Sequence, residues 1–140
     1  MIEDKFFDLF NYSVCKSFSI KLGNKKTNES FKNAGKIFYS ELLKSKLIKK
    51  HDSDFKNIKE IAKFLEKVGY LKKIKVQNFG EKIKIRMEKI ILAPSSRRLI
   101  KEKYTPSHLM TYLMFAALNK KIEVTSVKFG KNFVEEIWKV

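Results

Sequence analysis

The chain has 140 residues, of which 44% are hydrophobic and 13% aromatic, and this composition excludes a disordered segment and predicts one folded domain. Its formal charge of +16 at pH 7 favours contact with nucleic acid or anionic lipid, but the excess is dispersed and mostly lysine, which is more typical of a solvated surface. Cys15 is the only cysteine, so an internal disulfide is excluded, and the first residues lack a signal-peptide pattern. We therefore expect a cytoplasmic protein with no membrane span.

Apolar residues at intervals of three and four predict three helices in the first half of the chain. The first covers residues 2–10, and the pattern over 12–22 fits either a continuation of this helix or an extended segment. Residues 23–28 are rich in turn formers and predict a connection. A second helix is expected from residue 28 to between 46 and 50, and a third over 55–68.

Beyond residue 69 the apolar residues recur at every second position, which predicts strands. A first hairpin is expected over about 71–92, with alternating lysines that leave one face in water. Residues 93–98 predict a loop. A second hairpin is expected over about 122–140, where the change of phase between Val124 and Val127 predicts a bulge.

The uncharged stretch over 105–119 predicts a helix over about 105–118 that is buried on most sides. Thr105 followed by Pro106 predicts the N-cap of this helix and its first helical position. The apolar part is too short to span a membrane, which requires about 20 residues.

Helices followed by antiparallel hairpins define the fold class as α+β. We expect N-terminal helices packed on an antiparallel sheet made of the two hairpins, which are linked by the buried helix. The chain is expected to form a single domain over 1–140. Its helical part covers about 1–68, and its hairpin–helix–hairpin part covers about 70–140.

Three stretches and their order carry a family resemblance: Asn33–Leu43, Ile58–Tyr70 with the hairpin that follows it, and Leu118–Val124 with the terminal hairpin. The arrangement resembles the 4-vinyl-reductase-type domain, which shares its fold with subunits of the TRAPP trafficking complex and with haem nitric-oxide-binding domains. The resemblance covers roughly Asn28 to Val140. Its most specific part is the final unit of apolar helix, Asn-Lys-Lys turn, Ile-x-Val strand and hairpin.

The resemblance implies a module that senses a small or hydrophobic ligand in a pocket between helices and sheet, commonly as a dimer. We expect the chain to be a non-enzymatic ligand-binding, scaffold or sensor domain. For this chain we expect a homodimer through the N-terminal helices, which carry Phe6, Phe7 and Phe10. Family members typically have small glycines on the helix equivalent to 105–118 and cysteines in the terminal hairpin. The present chain has bulky methionines on that helix and no cysteine in that hairpin, so no cysteine-based metal or redox role is expected.

The buried helix supplies the predicted ligand contacts, because methionine and aromatic side chains adapt to irregular apolar ligands. The same side chains also suit simple core packing, which is the alternative interpretation. A histidine in the first turn could contact a ligand or carry a proton, or be satisfied by a backbone carbonyl. The predicted ligand-binding residues are His108, Met110, Tyr112, Met114 and Phe115.

An alternative function is association with nucleic acid through the lysine-rich first hairpin. Recognition by a sheet usually needs several exposed aromatic side chains for stacking, and only Phe79 lies nearby, so a lysine face that protects the sheet is preferred. Arg97 and Arg98 form the only arginine pair and could hold a phosphate or carboxylate group, or lie in solvent. The predicted anion or nucleic-acid contacts are Lys73, Lys75, Lys82, Lys84, Arg86, Arg97 and Arg98.

No catalytic motif is present in the sequence. Cys15 has no base near it along the chain, and the adjacent Glu135 and Glu136 point to opposite faces of a strand. The sequence leaves enzymatic activity open but favours a binding protein, and it predicts no catalytic residue, metal site or cofactor.

Overall fold

The computed structural model describes residues 3–140, which form five helices and one four-stranded antiparallel sheet and confirm the predicted α+β class. The helices come first, and a fourth and a fifth helix lie between the two hairpins. The helices are α1 (Asp4–Leu22), α2 (Asn24–Lys44), α3 (Asp54–Lys67), α4 (Ala93–Lys101) and α5 (Leu109–Leu118). The strands are β1 (Lys73–Asn78), β2 (Lys82–Glu88), β3 (Glu123–Phe129) and β4 (Phe133–Lys139).

The sheet has the strand order β1-β2-β4-β3, so β2 and β4 are central and β1 and β3 are edges. Both predicted hairpins are confirmed, and they join through antiparallel pairing of β2 with β4. The predicted bulge is also confirmed, because the register of β3 on β4 shifts between Val124 and Ser126. Alternation along the central strands places apolar side chains on the face that packs against the helices and most charged side chains on the other.

One hydrophobic core fills the space between the helices and the apolar face of the sheet. Its fully buried members include Leu113 and Met114 of α5, Ile85 of β2 and Trp138 of β4. Side chains are buried around most of the circumference of α5, which confirms that prediction. Among the helices of the described residues, none is long and apolar enough to cross a membrane.

The first helix is longer than the sequence predicted, and the second begins and ends earlier than predicted, at Asn24 and Lys44. Residues 12–22, for which helix and strand remained open, belong to α1. The turn predicted over 23–28 is wrong, because Gly23 alone separates α1 from α2. Gly23 has a φ of 82°, a left-handed conformation that glycine adopts without steric cost, so one residue redirects the chain. Ile2, where the first helix was predicted to begin, lies outside the described residues.

The loop predicted over 93–98 is wrong, because these residues form the larger part of α4. A remote residue helps to begin this helix: the Asp8 carboxylate on α1 accepts a hydrogen bond from the backbone N–H of Ser95 at 3.1 Å. A carboxylate near the first turn satisfies a free N–H and interacts favourably with the helix dipole. Because Asp8 is far away in sequence, a local pattern could not reveal this contribution.

Helix α5 begins at Leu109, later than predicted. Thr105 does not cap it, because its backbone N–H donates to Ser19 Oγ at 3.0 Å and its hydroxyl donates to the Asn24 carbonyl at 3.4 Å. These bonds tie the preceding segment to the junction of α1 and α2. His108 instead occupies the N-cap position, with a left-handed φ of 47°.

Candidate functional site

A recess of about 250 Å³ lies between α4, the segment that leads into α5, and the apolar face of the sheet. Its walls are mostly apolar and include Met87 of β2 and Val134 of β4. Ile100, Val127 and Phe129 also line it and are about half exposed, so the recess opens to solvent. We call this recess the apolar pocket. A dry cavity of about 150 Å³ can bind benzene, so the apolar pocket has room for a ring with a short substituent.

Glu136 on β4 is the only acidic side chain in the lining of the apolar pocket within the described part of the chain. It lies on the inner face of the sheet, opposite Ile85 of β2 and Val127 of β3, and is only 8% exposed. Thr111 Oγ1 donates a long hydrogen bond of 3.4 Å to its carboxylate. Burial raises the pKa of Glu136, and Thr111 and the neighbouring Trp138 indole offset part of this effect. The indole Nε1 does not meet hydrogen-bond geometry with any group among residues 3–140.

Two of the five predicted ligand contacts, His108 and Met110, line the apolar pocket. The His108 ring packs edge-to-face on Tyr112, with 5.9 Å between the ring centroids. Burial lowers the pKa of His108, so the imidazole is mainly neutral at pH 7. Met110 is buried and contributes an adaptable apolar wall.

The other three predicted contacts lie elsewhere on α5. Met114 is fully buried in the core. Tyr112 and Phe115 line a second recess of about 600 Å³. The Tyr112 hydroxyl donates a hydrogen bond to Asn28 of α2, and burial raises the pKa of this hydroxyl. The second recess is also lined by Lys32, Lys36, Lys120 and Lys121.

The predicted basic residues of the first hairpin share the face of the sheet that points away from the helices. Two of them form ion pairs with Glu135 of β4, in which the carboxylate lies 3.3 Å from Lys84 Nζ and 3.4 Å from Arg86 Nη1. Burial acts to raise the pKa of Glu135, but these cations lower it below its usual value. The exposed members of the set are Lys73, Lys75 and Lys82.

The two adjacent arginines of α4 contact different parts of the protein. Arg97 Nη2 donates to the Gly130 carbonyl at 2.8 Å. Arg98 Nε donates to Glu102 Oε2 at 3.3 Å, and its guanidinium lies 3.8 Å from the centroid of the Tyr12 ring. The structure therefore does not bring them together around a common anion.

Sequence reasoning missed the contribution of α4 to the apolar pocket and the position of Glu136 within it. The alternation of Val134, Glu136 and Trp138 along the last strand was the available signal, because an acidic residue between two apolar ones on the same face predicts burial. The side of the strand that faces the helices could not be chosen from the pattern alone.

No protein-family model matches the chain, and no curated protein sequence matches it. The resemblance to the 4-vinyl-reductase-type domain therefore stays a prediction. Within residues 3–140, no three His, Cys, Asp or Glu side chains cluster in a way that could hold a metal ion. The geometry and charge of the apolar pocket are what remain to indicate a function.

Proposed function

We propose that the protein binds a small apolar molecule in the apolar pocket and acts as a non-enzymatic ligand-binding or sensor domain, as expected for a domain of the 4-vinyl-reductase type. The observation that carries this proposal is the recess of about 250 Å³ itself, which is mostly apolar, open to solvent, and built by helices and sheet together. Ligand sites are typically concave and apolar with a few polar groups that orient the ligand. Glu136 and His108 are such groups.

The test is saturable binding of an uncharged apolar probe that has one ring and a short substituent, propylbenzene, measured by isothermal titration calorimetry. Ala93 lines the apolar pocket at the start of α4, and Ala93→Leu should lower probe affinity by about tenfold or more because the larger side chain occupies ligand volume. Ala116→Leu is the matched control, since Ala116 is also a half-buried helical alanine but lines the second recess. Circular dichroism checks that both variants fold. Unsaturable probe binding, or equal effects of the two variants, would contradict the proposal.

We further propose that the protein is a homodimer through α1. This helix packs on α2 and α4, while Phe6, Phe10 and Ile20 project from its other side and are exposed. Exposed apolar stripes of this kind often mark contact with another molecule. A second copy of α1 would remove these side chains from water.

Light scattering after size-exclusion chromatography measures the mass of this 16.5 kDa chain and tests the dimer. Phe6→Ser, at a side chain that is 64% exposed, should shift the equilibrium towards monomer at micromolar concentration. Phe79→Ser is the control, because Phe79 is 63% exposed at the tip of the first hairpin and should leave the mass unchanged. A monomeric wild-type protein at high concentration would refute the dimer.

Association with nucleic acid is a second candidate function, favoured by the gathering of lysines and Arg86 on one open face of the sheet. Fluorescence anisotropy with duplex and single-stranded DNA should then give an affinity that falls steeply with salt. Replacing both Lys73 and Lys75 by Glu should reduce the salt slope, whereas the same change at Lys25 and Lys26 of α2 should act only through net charge. Absence of binding at moderate ionic strength rejects this function.

A further inference from the structure

The apolar pocket lacks the basic residues that dominate the charge of the protein as a whole. The chain carries a formal charge of +16, yet no lysine or arginine is among the described residues that line the pocket. Its titratable lining groups are Glu136, His108 and Tyr70. Burial lowers the pKa of His108 and raises that of Tyr70, so both are mainly neutral at pH 7. An anionic ligand would therefore find no cation and one carboxyl group in this site.

Glu136 is incompletely satisfied in the pocket wall. A carboxylate can accept several hydrogen bonds, whereas Glu136 accepts a single long one from Thr111 Oγ1 at 3.4 Å, and no ion pair reaches it from the described residues. The cross-strand neighbours on either side are the apolar Ile85 and Val127. Burial of a carboxylate without a counterion is unfavourable, and a ligand that supplies the cation would relieve this penalty.

The side chains around Glu136 come from α5 and the residue before it, from the neighbouring strands β2 and β3, and from β4 itself. Helix α5 contributes Thr111, and the neutral His108 precedes that helix in the pocket lining. Strands β2 and β3 contribute apolar side chains, and β4 itself contributes the Trp138 indole on the same face. None of these groups carries a positive charge at pH 7. The strongest missing partner for the carboxyl is therefore a cationic hydrogen-bond donor.

We propose that the ligand of the apolar pocket is an apolar molecule with one primary amine, whose ammonium group binds to Glu136 while its apolar body occupies the recess between α4 and the sheet. This inference rests on the proposed ligand-binding function and names the class of ligand. An ammonium group donates up to three hydrogen bonds, and bonds between ionised partners are about twice as strong as neutral ones. The half-exposed mouth formed by Ile100 and Phe129 allows such a molecule to enter.

Three ligands with the same apolar body separate the possible head groups: 3-phenylpropylamine, 3-phenylpropan-1-ol and 4-phenylbutanoate. Isothermal titration calorimetry at pH 7 should rank the amine first, by about tenfold or more over the alcohol, because a charge-assisted hydrogen bond is the stronger one. The carboxylate should bind most weakly, because no lysine or arginine among the described lining residues can receive its charge. This ranking requires only the wild-type protein.

Glu136→Gln keeps the shape of the side chain and removes its charge, so it should lower the affinity for the amine about tenfold or more and leave that for the alcohol nearly unchanged. Glu135→Gln is the matched control, because Glu135 is adjacent in sequence and lies on the opposite face of the sheet. If none of the three compounds binds, the proposed ligand-binding function fails together with the inference. If all three compounds bind, the pocket stands. The inference is then overturned by any of three results: the carboxylate binds most tightly, the alcohol binds as tightly as the amine, or Glu136→Gln leaves the affinity for the amine unchanged.

Discussion

At Gly35 the backbone of α2 packs tightly against Tyr112 of α5, and Gly35→Ala tests this packing. A Cβ atom at this position would lie 2.7 Å from the carbonyl carbon and the Cβ of Tyr112 and 2.8 Å from its carbonyl oxygen. Two of these atoms belong to the backbone of α5, so rotation of a side chain cannot relieve the contact. The helices must separate locally by about 0.7 Å to restore the 3.4 Å at which ordinary contact begins.

Two effects of opposite sign set the size of the change. Overpacking in a close-packed interior costs about 1–3 kcal/mol. Replacing glycine by alanine inside a helix gains about 1 kcal/mol by restricting the unfolded chain. We expect the first effect to prevail, because the close atoms are backbone atoms and because separation would also strain the hydrogen bond from the Tyr112 hydroxyl to Asn28. The net loss in the free energy of unfolding should be up to about 2 kcal/mol.

Urea unfolding followed by circular dichroism measures this difference, provided that the slope of the transition is unchanged. Ser40→Ala is the control, because Ser40 is exposed on the same helix and should gain a few tenths of a kcal/mol from helix propensity alone. A Gly35→Ala variant as stable as the Ser40→Ala variant, or more stable, would refute the close crossing of α2 and α5.

Three further predictions follow from individual side chains. Burial raises the pKa of Glu136 in the folded state above its ordinary 4.5, so its contribution to stability is fully present below about pH 4.5 and is lost as the pH rises through the folded-state value. Urea unfolding should therefore show that the wild-type protein loses stability relative to Glu136→Gln as the pH rises above about 4.5. A difference in the free energy of unfolding that stays constant from pH 4 to pH 8 would contradict the buried carboxyl. Burial raises the pKa of the Cys15 thiol to about 11. Iodoacetamide at pH 8 should therefore modify the folded protein about 100-fold more slowly than the urea-unfolded chain, as measured by mass spectrometry. Equal rates would place the thiol in solvent. Asp8→Ala should lower the free energy of unfolding by about 1 kcal/mol, because the N–H of Ser95 in the first turn of α4 loses its acceptor, and an unchanged urea midpoint would contradict this capping role.

Periodicity accounts for most of the secondary structure of this chain. The alternating residues of the first hairpin, the stripe of α3 and the phase change near Thr125 are local patterns, and each corresponds to an observed element or bulge. These elements could be predicted because each has one face against the core. Apolar residues must then recur about every 3.6 positions along a helix and every second position along a strand. The buried character of α5 follows in the same way from its lack of charged residues.

The candidate site depended on contacts between residues that are distant in sequence. Helix α4 begins beside Asp8 of α1, and Thr105 is held by Ser19 instead of capping α5, so both ends of the pocket-forming segment are set by partners about 80 or more residues away. The inward orientation of Glu136 arises from the pairing of β4 between β2 and β3. Only two of the five predicted ligand contacts line the apolar pocket, because a helix buried on most sides presents its residues to several different neighbours.

Composition and local periodicity by themselves determined the α+β class, the two hairpins and the buried α5, because hydrophobic burial acts on every element in the same direction. The tertiary structure decided the helical state of 93–98, the start of α5 and the enclosure of Glu136 in an apolar wall. These features depend on hydrogen bonds and packing between remote segments, whose free energies outweigh the weak local preferences of a few residues. The net charge of +16 likewise gave no indication that the pocket would contain a carboxyl group and no lysine or arginine among the described lining residues.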